Sequence, residues 1–184
     1  ARDIREAFCT AREVGFACIN MDLIAGLPQD SVEGFRDSLE EVLALRPENI
    51  TVHTLAMKKG SRLMEEGGAL PSGEETGRMV DLSLEALEGA GYRPYYLYRQ
   101  KYMSGGLENV SWCLPGTENH YNIIMMEELQ SVLSLGAGGV TKLVDRSSGR
   151  IVRLTNPKYP HDYLAMSAKV LEQKDEILRF YREV

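Results

Sequence analysis

Cysteine is scarce in this chain: Cys9, Cys18 and Cys113 are the only three among 184 residues. Their number is odd and their spacing wide, which excludes a closed disulfide framework. The spacing fits no zinc or iron–sulfur ligand run either, so the three read as free thiols, mostly buried. Histidine is as sparse: His53, His120 and His161 form no HxxxH or HxH pair, and no metal site is expected within the chain. Motifs for nucleophilic catalysis (GxSxG), dinucleotide binding (GxGxxG) and phosphate loops (GK[ST]) are absent. Positive charge is in deficit. A net charge of -6 argues against a nucleic-acid or polyphosphate surface, which would need a basic face. No apolar run reaches the roughly 18 residues of a membrane span, and ARDIREAF lacks the basic-then-apolar layout of a secretion signal. No membrane insertion and a cytoplasmic location are therefore expected. Ala1 already stands inside a helical pattern, with no methionine and no opening strand, which fits a fragment.

What is present is ordinary for a globular protein: 43% hydrophobic and 26% charged residues, enough for one domain or one domain with an appendage. Residues 2–14 read as a helix with Ile4, Ala7, Phe8, Ala11 and Val14 on one face, ended by Gly15. ACINMDLIAG (17–26) is nearly all apolar over a strand's length and predicts a strand buried on both faces. Asp30 or Ser31 then caps a helix striped by Val32, Phe35, Leu39, Val42 and Leu43, and Pro47 stops it. ENITVHTLAM (48–57) is β-branched and alternating, a second strand. Strand–helix–strand of this kind predicts a parallel crossover.

Beyond it, the pattern predicts a short helix near 61–67 and a longer one over 72–90 with Met79, Leu82, Leu84, Ala86 and Leu87 inside. YRPYYLYRQKYM (92–103) and ENVSWCL (108–114) read as partner strands, and 122–133 as a helix. LGAGGVTKLVD (135–145) and GRIVRLTN (149–156) predict a hairpin turned at SSG. Pro160 opens a final amphipathic helix running to Val184.

Asp22 is the first chemical question. A carboxylate in a doubly buried strand needs a partner, and ligands of parallel α/β folds gather at the carboxyl ends of strands. Asp22 sits just before such an end, and Gly26 lets the backbone turn closely there; bonding to neighbouring backbone amides would satisfy the same carboxylate. LGAGGVTK packs three glycines into four positions, which serves either a close ligand approach or a tight turn. Tyr92, Tyr95, Tyr96, Tyr98 and Tyr102 either line a flat apolar pocket or pack a half-buried strand. Arg99 and Lys101 are candidates for pairing with an acidic ligand, or plain surface charge.

The combination of MDLIAGLPQDSVEGFRDSLEEVLALRPENITVHTLAMKKGSRL with ENVSWCLPGTENHYN and LGAGGVTK resembles the radical S-adenosylmethionine family of oxygen-independent coproporphyrinogen III oxidases. YLYRQKYMSGGLENV is similar to the coproporphyrinogen dehydrogenase subgroup. The resemblance implies an α/β fold: a partial, half TIM-like radical SAM barrel over residues 1–65, followed by an α+β carboxyl-terminal region over 66–184 that covers the substrate. It implies that Asp22 contacts S-adenosylmethionine at the barrel mouth, with the backbone of Ala56 beside the same ligand. It further implies that the glycine loop, through Gly136, Gly138 and Lys142, closes over that region. The implied partners are a porphyrinogen substrate and an electron donor for a [4Fe–4S] cluster. The implied reaction is oxidative decarboxylation of propionates to vinyl groups in haem biosynthesis. A haem carrier on the same scaffold is the alternative, and an unrelated α/β enzyme with a phosphate-binding glycine loop is a third reading.

The chain departs from the family at several points. The CxxxCxxC that would ligate the cluster is absent, as are the early Gly-Gly and Glu elements of the cofactor site. Tyr121 stands where relatives carry His before Asn122, and Gly139 replaces the usual Ala. The resemblance is thus to a carboxyl-terminal half, inactive alone, whose exposed sheet edges predict self-association measurable by light scattering.

Overall fold

A computed structural model describes residues 2–56, 63, 69–98 and 107–183. They form two compact units, residues 1–119 and 120–184, so the division expected at 65/66 falls inside the first unit. Of the helix expected near 61–67 only residue 63 is described, and Arg99, Lys101 and Tyr102 lie outside the described residues.

The first unit opens with α1 (Arg2–Val14), β1 (Asn20–Ala25), α2 (Val32–Leu45) and β2 (Asn49–Thr54). It continues with α3 (Gly73–Gly89), β3 (Arg93–Tyr98) and β4 (Asn109–Cys113). The strands make one sheet in the order β1-β2-β4-β3. β1 and β2 run parallel, as the strand–helix–strand pattern predicts, while β4 is antiparallel to both β2 and β3.

Local chemistry fixes the helix ends. Ser31 caps α2, its side chain accepting from Gly34 N–H at 3.0 Å. Arg46 ends it in the left-handed region (φ 52°), because the following Pro47 forbids a further α residue. Ser72 and Glu75 form a reciprocal capping box at the start of α3.

One face of the sheet is apolar. Period-2 alternation aims Met21, Leu23, Ala25, Ile50, Val52, Val110 and Trp112 at the stripes Phe35–Leu39–Val42 of α2 and Met79–Leu87 of α3. Fully burying each of these large side chains contributes about 1.5–3 kcal/mol, and this layer is the core. Gly26 is explained here. It has φ +85°, and a Cβ on it would lie 3.1 Å from both Cγ2 and Oγ1 of Thr76, so the turn passes directly against α3.

Several expectations need correction. β1 is not buried on both faces; its residues alternate between the apolar face packed against α2 and α3 and the polar face, where Ile24 is 39% exposed. On α1 only Phe8 is buried, with Ile4 and Val14 exposed. On α3 the buried line is Thr76, Met79, Ser83 and Leu87, which leaves Leu84 exposed: the stripe facing the sheet is rotated toward small hydroxyl residues. Of the three thiols only Cys113 is buried.

The second unit contains α4 (His120–Met126), the hairpin β5 (Val140–Asp145) and β6 (Arg150–Thr155), α5 (Pro160–Ala165) and α6 (Ser167–Glu183). Leu143, Leu154 and Phe180 form its small core, with Val152 and Ile177 packed on it. α4 is shorter than the expected 122–133. Its continuation turns at Glu128 (φ 52°) and brings Val132 into a bridge with Lys142. The single final helix is two, broken at Met166, whose non-helical φ and ψ of -100° and 32° end α5. No described helix is long and apolar enough to cross a membrane.

Candidate functional site: the polar face of the first sheet

The alternation that sends apolar residues to the helices sends a polar set the other way. β1 contributes Asn20 and Asp22, and β2 contributes Asn49, Thr51 and His53. β4 contributes Asn109 and Ser111. On β3 the register shifts between Pro94 and Tyr96, a bulge that leaves Tyr95 extra and pairs Tyr96 with Ser111 and Tyr98 with Asn109. Without the bulge, Tyr96 and Tyr98 would point the other way.

Two chains of polar contacts converge on one carboxylate oxygen, one by hydrogen bonds and one by a longer approach. In the first, the Ser111 and Thr51 hydroxyls lie 2.7 Å apart, Thr51 Oγ1 donates to Asn20 Oδ1 at 3.2 Å, and Asn20 Nδ2 donates to Asp22 Oδ1 at 2.6 Å. In the second, the Tyr98 hydroxyl lies 2.9 Å from His53 Nδ1, and His53 Nε2 lies 3.7 Å from the same Asp22 Oδ1. Tyr98 meets the imidazole edge-on, with ring centroids 6.2 Å apart, and stacks on Tyr96.

The contact from His53, with smaller ones from Asn20 and Thr51, holds the Asp22 carboxyl below its ordinary value against the opposing effect of burial. The Asp22 side chain nevertheless stays 56% exposed. An ionised carboxylate, oriented from three strands and open to solvent, is an acceptor for a ligand's hydroxyl or ammonium hydrogens. Asn109, by contrast, is spent on structure, its Oδ1 accepting from Thr54 N–H at 2.7 Å.

Asp22 thus sits among side chains rather than backbone amides. Ala56 lies part-buried just past β2, where Leu55 N–H donates to Ala25 O at 2.9 Å and extends the ladder toward the Gly26 turn. Gly136, Gly138 and Lys142 belong to the second unit. There the glycine loop is a tight turn tied to its own hairpin. Asn156 Nδ2 donates to Gly136 O at 2.8 Å, Gly138 N–H to Pro157 O at 2.8 Å, and Gly139 N–H to Gly136 O at 3.3 Å. Two of the amides a phosphate cradle would use are therefore already engaged. Lys142 is buried, its Nζ donating to Met125 O at 2.9 Å and lying 3.6 Å from Glu128, which also pairs with Arg153.

Asn20, Thr51, His53, Tyr98 and Ser111 were not singled out together by sequence reasoning. The signal lay in the polar members of the alternation in NITVHT. Among the described residues no three His, Cys, Asp or Glu side chains come together to hold a metal. Cys113, pushed up to about 11 by burial, is no ligand candidate.

No family model matches the chain. Over 181 residues it is 39% identical to the oxygen-independent coproporphyrinogen-III oxidase-like protein HemZ of Bacillus subtilis, covering 97% of this chain and 36% of that protein. The chain is a homologue of the oxygen-independent coproporphyrinogen III oxidases and their relatives. The chain is also similar to the heme chaperone HemW of Bacillus subtilis, 28% identical over 59% of this chain and 29% of that protein. Among solved structures, the coproporphyrinogen III oxidase HemN of Escherichia coli, a radical SAM enzyme, superposes with a TM-score of 0.55 at 20% identity. That match covers 75% of this chain and 32% of the enzyme, and at such identity it is a likeness of fold. The chain spans about a third of the length of these relatives.

Proposed function

We propose that this chain is the carboxyl-terminal part of a radical S-adenosylmethionine protein of haem metabolism, and that the polar face of its first sheet is one wall of the nucleoside site. The carrying observation is the convergence of two chains of polar contacts on a half-exposed Asp22. Its chemistry fits the sugar of S-adenosylmethionine: a charged acceptor for two vicinal hydroxyls, prevented by its neighbours from taking up a proton. The backbone at Ala56 would flank the same ligand. The [4Fe–4S] cluster does not fit the described residues, since no cysteine trio is assembled, and its ligands would come from elsewhere in a longer protein.

When bound at such a cluster, the cofactor supplies the radical that begins oxidative decarboxylation of a porphyrinogen propionate. This chain's own residues have the simpler task of binding and orienting the nucleoside. Asp22 accepts the sugar hydroxyls, Asn20 and His53 keep it from rotating, and the Tyr96–Tyr98 pair offers an aromatic surface beside it. In the second unit Lys142 ties the hairpin that carries Gly136 and Gly138 to the end of α4.

The second reading, a haem chaperone or carrier, is favoured by the likeness to HemW. One experiment separates the two. The longer protein is purified without oxygen, its cluster reconstituted, and deoxyadenosine release followed with reductant and coproporphyrinogen. Substrate-dependent release and vinyl product support the oxidase reading. Tight haem binding with no coproporphyrinogen-dependent release would replace it by the carrier reading.

A further inference from the structure

His53, like Thr51, touches groups on two other strands of the polar face. From β2 it meets Asp22 of β1 on one side and Tyr98 of β3 on the other, and Tyr98 reaches it past β4, the strand between. The other polar side chains facing it are Thr51 of its own strand, committed to Asn20 and Ser111, and Asn109 of β4, committed to Thr54.

The two contacts select one tautomer of a neutral imidazole. If the Tyr98 hydroxyl donates to Nδ1, the ring hydrogen must sit on Nε2, the nitrogen that faces the carboxylate. With the opposite tautomer an Nε2 lone pair would face the Asp22 oxygen, an unfavourable pairing of two acceptors. The Tyr98 hydroxyl therefore sets which hydrogen Asp22 sees, although it does not touch Asp22.

We propose that His53 is a positioning residue, locked by Tyr98 as its Nε2–H tautomer, which holds Asp22 for the vicinal hydroxyls of a nucleoside sugar. The inference rests on the reading of Asp22 as a nucleoside contact and goes beyond it by assigning roles to two residues that need not touch the ligand.

The test uses the longer protein and S-adenosylhomocysteine, which cannot undergo the reaction, so that affinity is read by equilibrium dialysis apart from activity. Asp22→Asn should weaken binding about tenfold or more, the size expected for losing a charge-assisted pair of hydrogen bonds. His53→Phe, which keeps the ring shape without the donor, should weaken it roughly three- to tenfold. His53→Gln, whose amide can still donate toward Asp22, should return to within about twofold of the native affinity. Tyr98→Phe should weaken binding about two- to threefold. In ¹⁵N spectra it should also turn a pure Nε2–H signature at His53 into a mixture of tautomers.

A purely structural histidine would show neither the rescue by glutamine nor the tautomer change. If Asp22→Asn weakens binding but Tyr98→Phe leaves both affinity and tautomer unchanged, the positioning role is overturned while the nucleoside reading stands. If Asp22→Asn binds as the native protein does, the nucleoside reading itself falls. Should His53→Phe fail to fold, Tyr98→Phe decides alone, because it removes one oxygen from a part-exposed ring.

Discussion

Asp22 and Asp145 are both held below the ordinary carboxylate range, and they are held in opposite ways. Asp145 stands at the end of β5 and is lowered to about 2 by the Ser148 hydroxyl, then by the Ser147 hydroxyl and backbone N–H. Every partner lies within three residues, so the arrangement is an Asx-type turn that shapes the SSG corner of the hairpin. Asp22 is lowered by His53 from a neighbouring strand and by Asn20, backed by Tyr98 and Ser111 from two more. A turn makes the first arrangement with four residues; the second exists only when four strands have assembled. Lys142 belongs with Asp145, a charge closed upon by Met125 O and Glu128. A perturbed carboxylate is thus weak evidence of a site by itself, and partners brought from distant segments to an open group are stronger evidence.

The sharpest way to break this contrast is to exchange the consequences. Lys142→Ala removes a buried ammonium, orphans the Met125 carbonyl and leaves a gap beside β5; it should cost about 2 kcal/mol in urea unfolding. Asp22→Asn keeps the shape of a half-exposed side chain and should move stability by less than about 0.5 kcal/mol, while ligand affinity falls. The reverse pair of results would make Asp22 the structural residue. A smaller effect is expected at the turn that follows Asp22. Gly26→Ala forces a side chain onto φ +85° and against Thr76, and should destabilise by on the order of 1–2 kcal/mol. Adding Thr76→Ser removes the Cγ2 atom and should restore part of that loss. No recovery would assign the whole cost to backbone conformation.

These contrasts also explain what was legible in the sequence. The parallel β1–α2–β2 unit, the cap at Ser31 and the SSG hairpin all depend on residues near one another in the chain, and each is present where the pattern predicts it. Asp22 stood out because an acid in an apolar run is costly without partners. The partners themselves were hidden. His53 looked isolated because its neighbours Asp22 and Tyr98 are joined to it only by sheet order, and Tyr98 faces it only because of a bulge after Pro94. The same holds for the burial of β1: an apolar run states that one face is covered, whereas the number of covered faces depends on what packs above and below the sheet. The stripe of α3 was misplaced because Thr76 and Ser83, not Leu84, face the sheet and Gly26.

The smallest expected effect separates the two carboxylates by pH. Each has a folded-state pKa below its unfolded value of 3.8, so each contributes stability that is fully present above about pH 4 and is lost as the pH falls through the folded value. For Asp145 that loss should be spread between about pH 4 and pH 2. Asp145→Asn should flatten the urea midpoint over this window, with little change near neutrality beyond the loss itself. Asp22→Asn should flatten it less, since solvent reaches its side chain. Equal acid slopes in the two variants would mean that Asp22 is held locally after all, and the polar face would lose its claim to be a preorganised site.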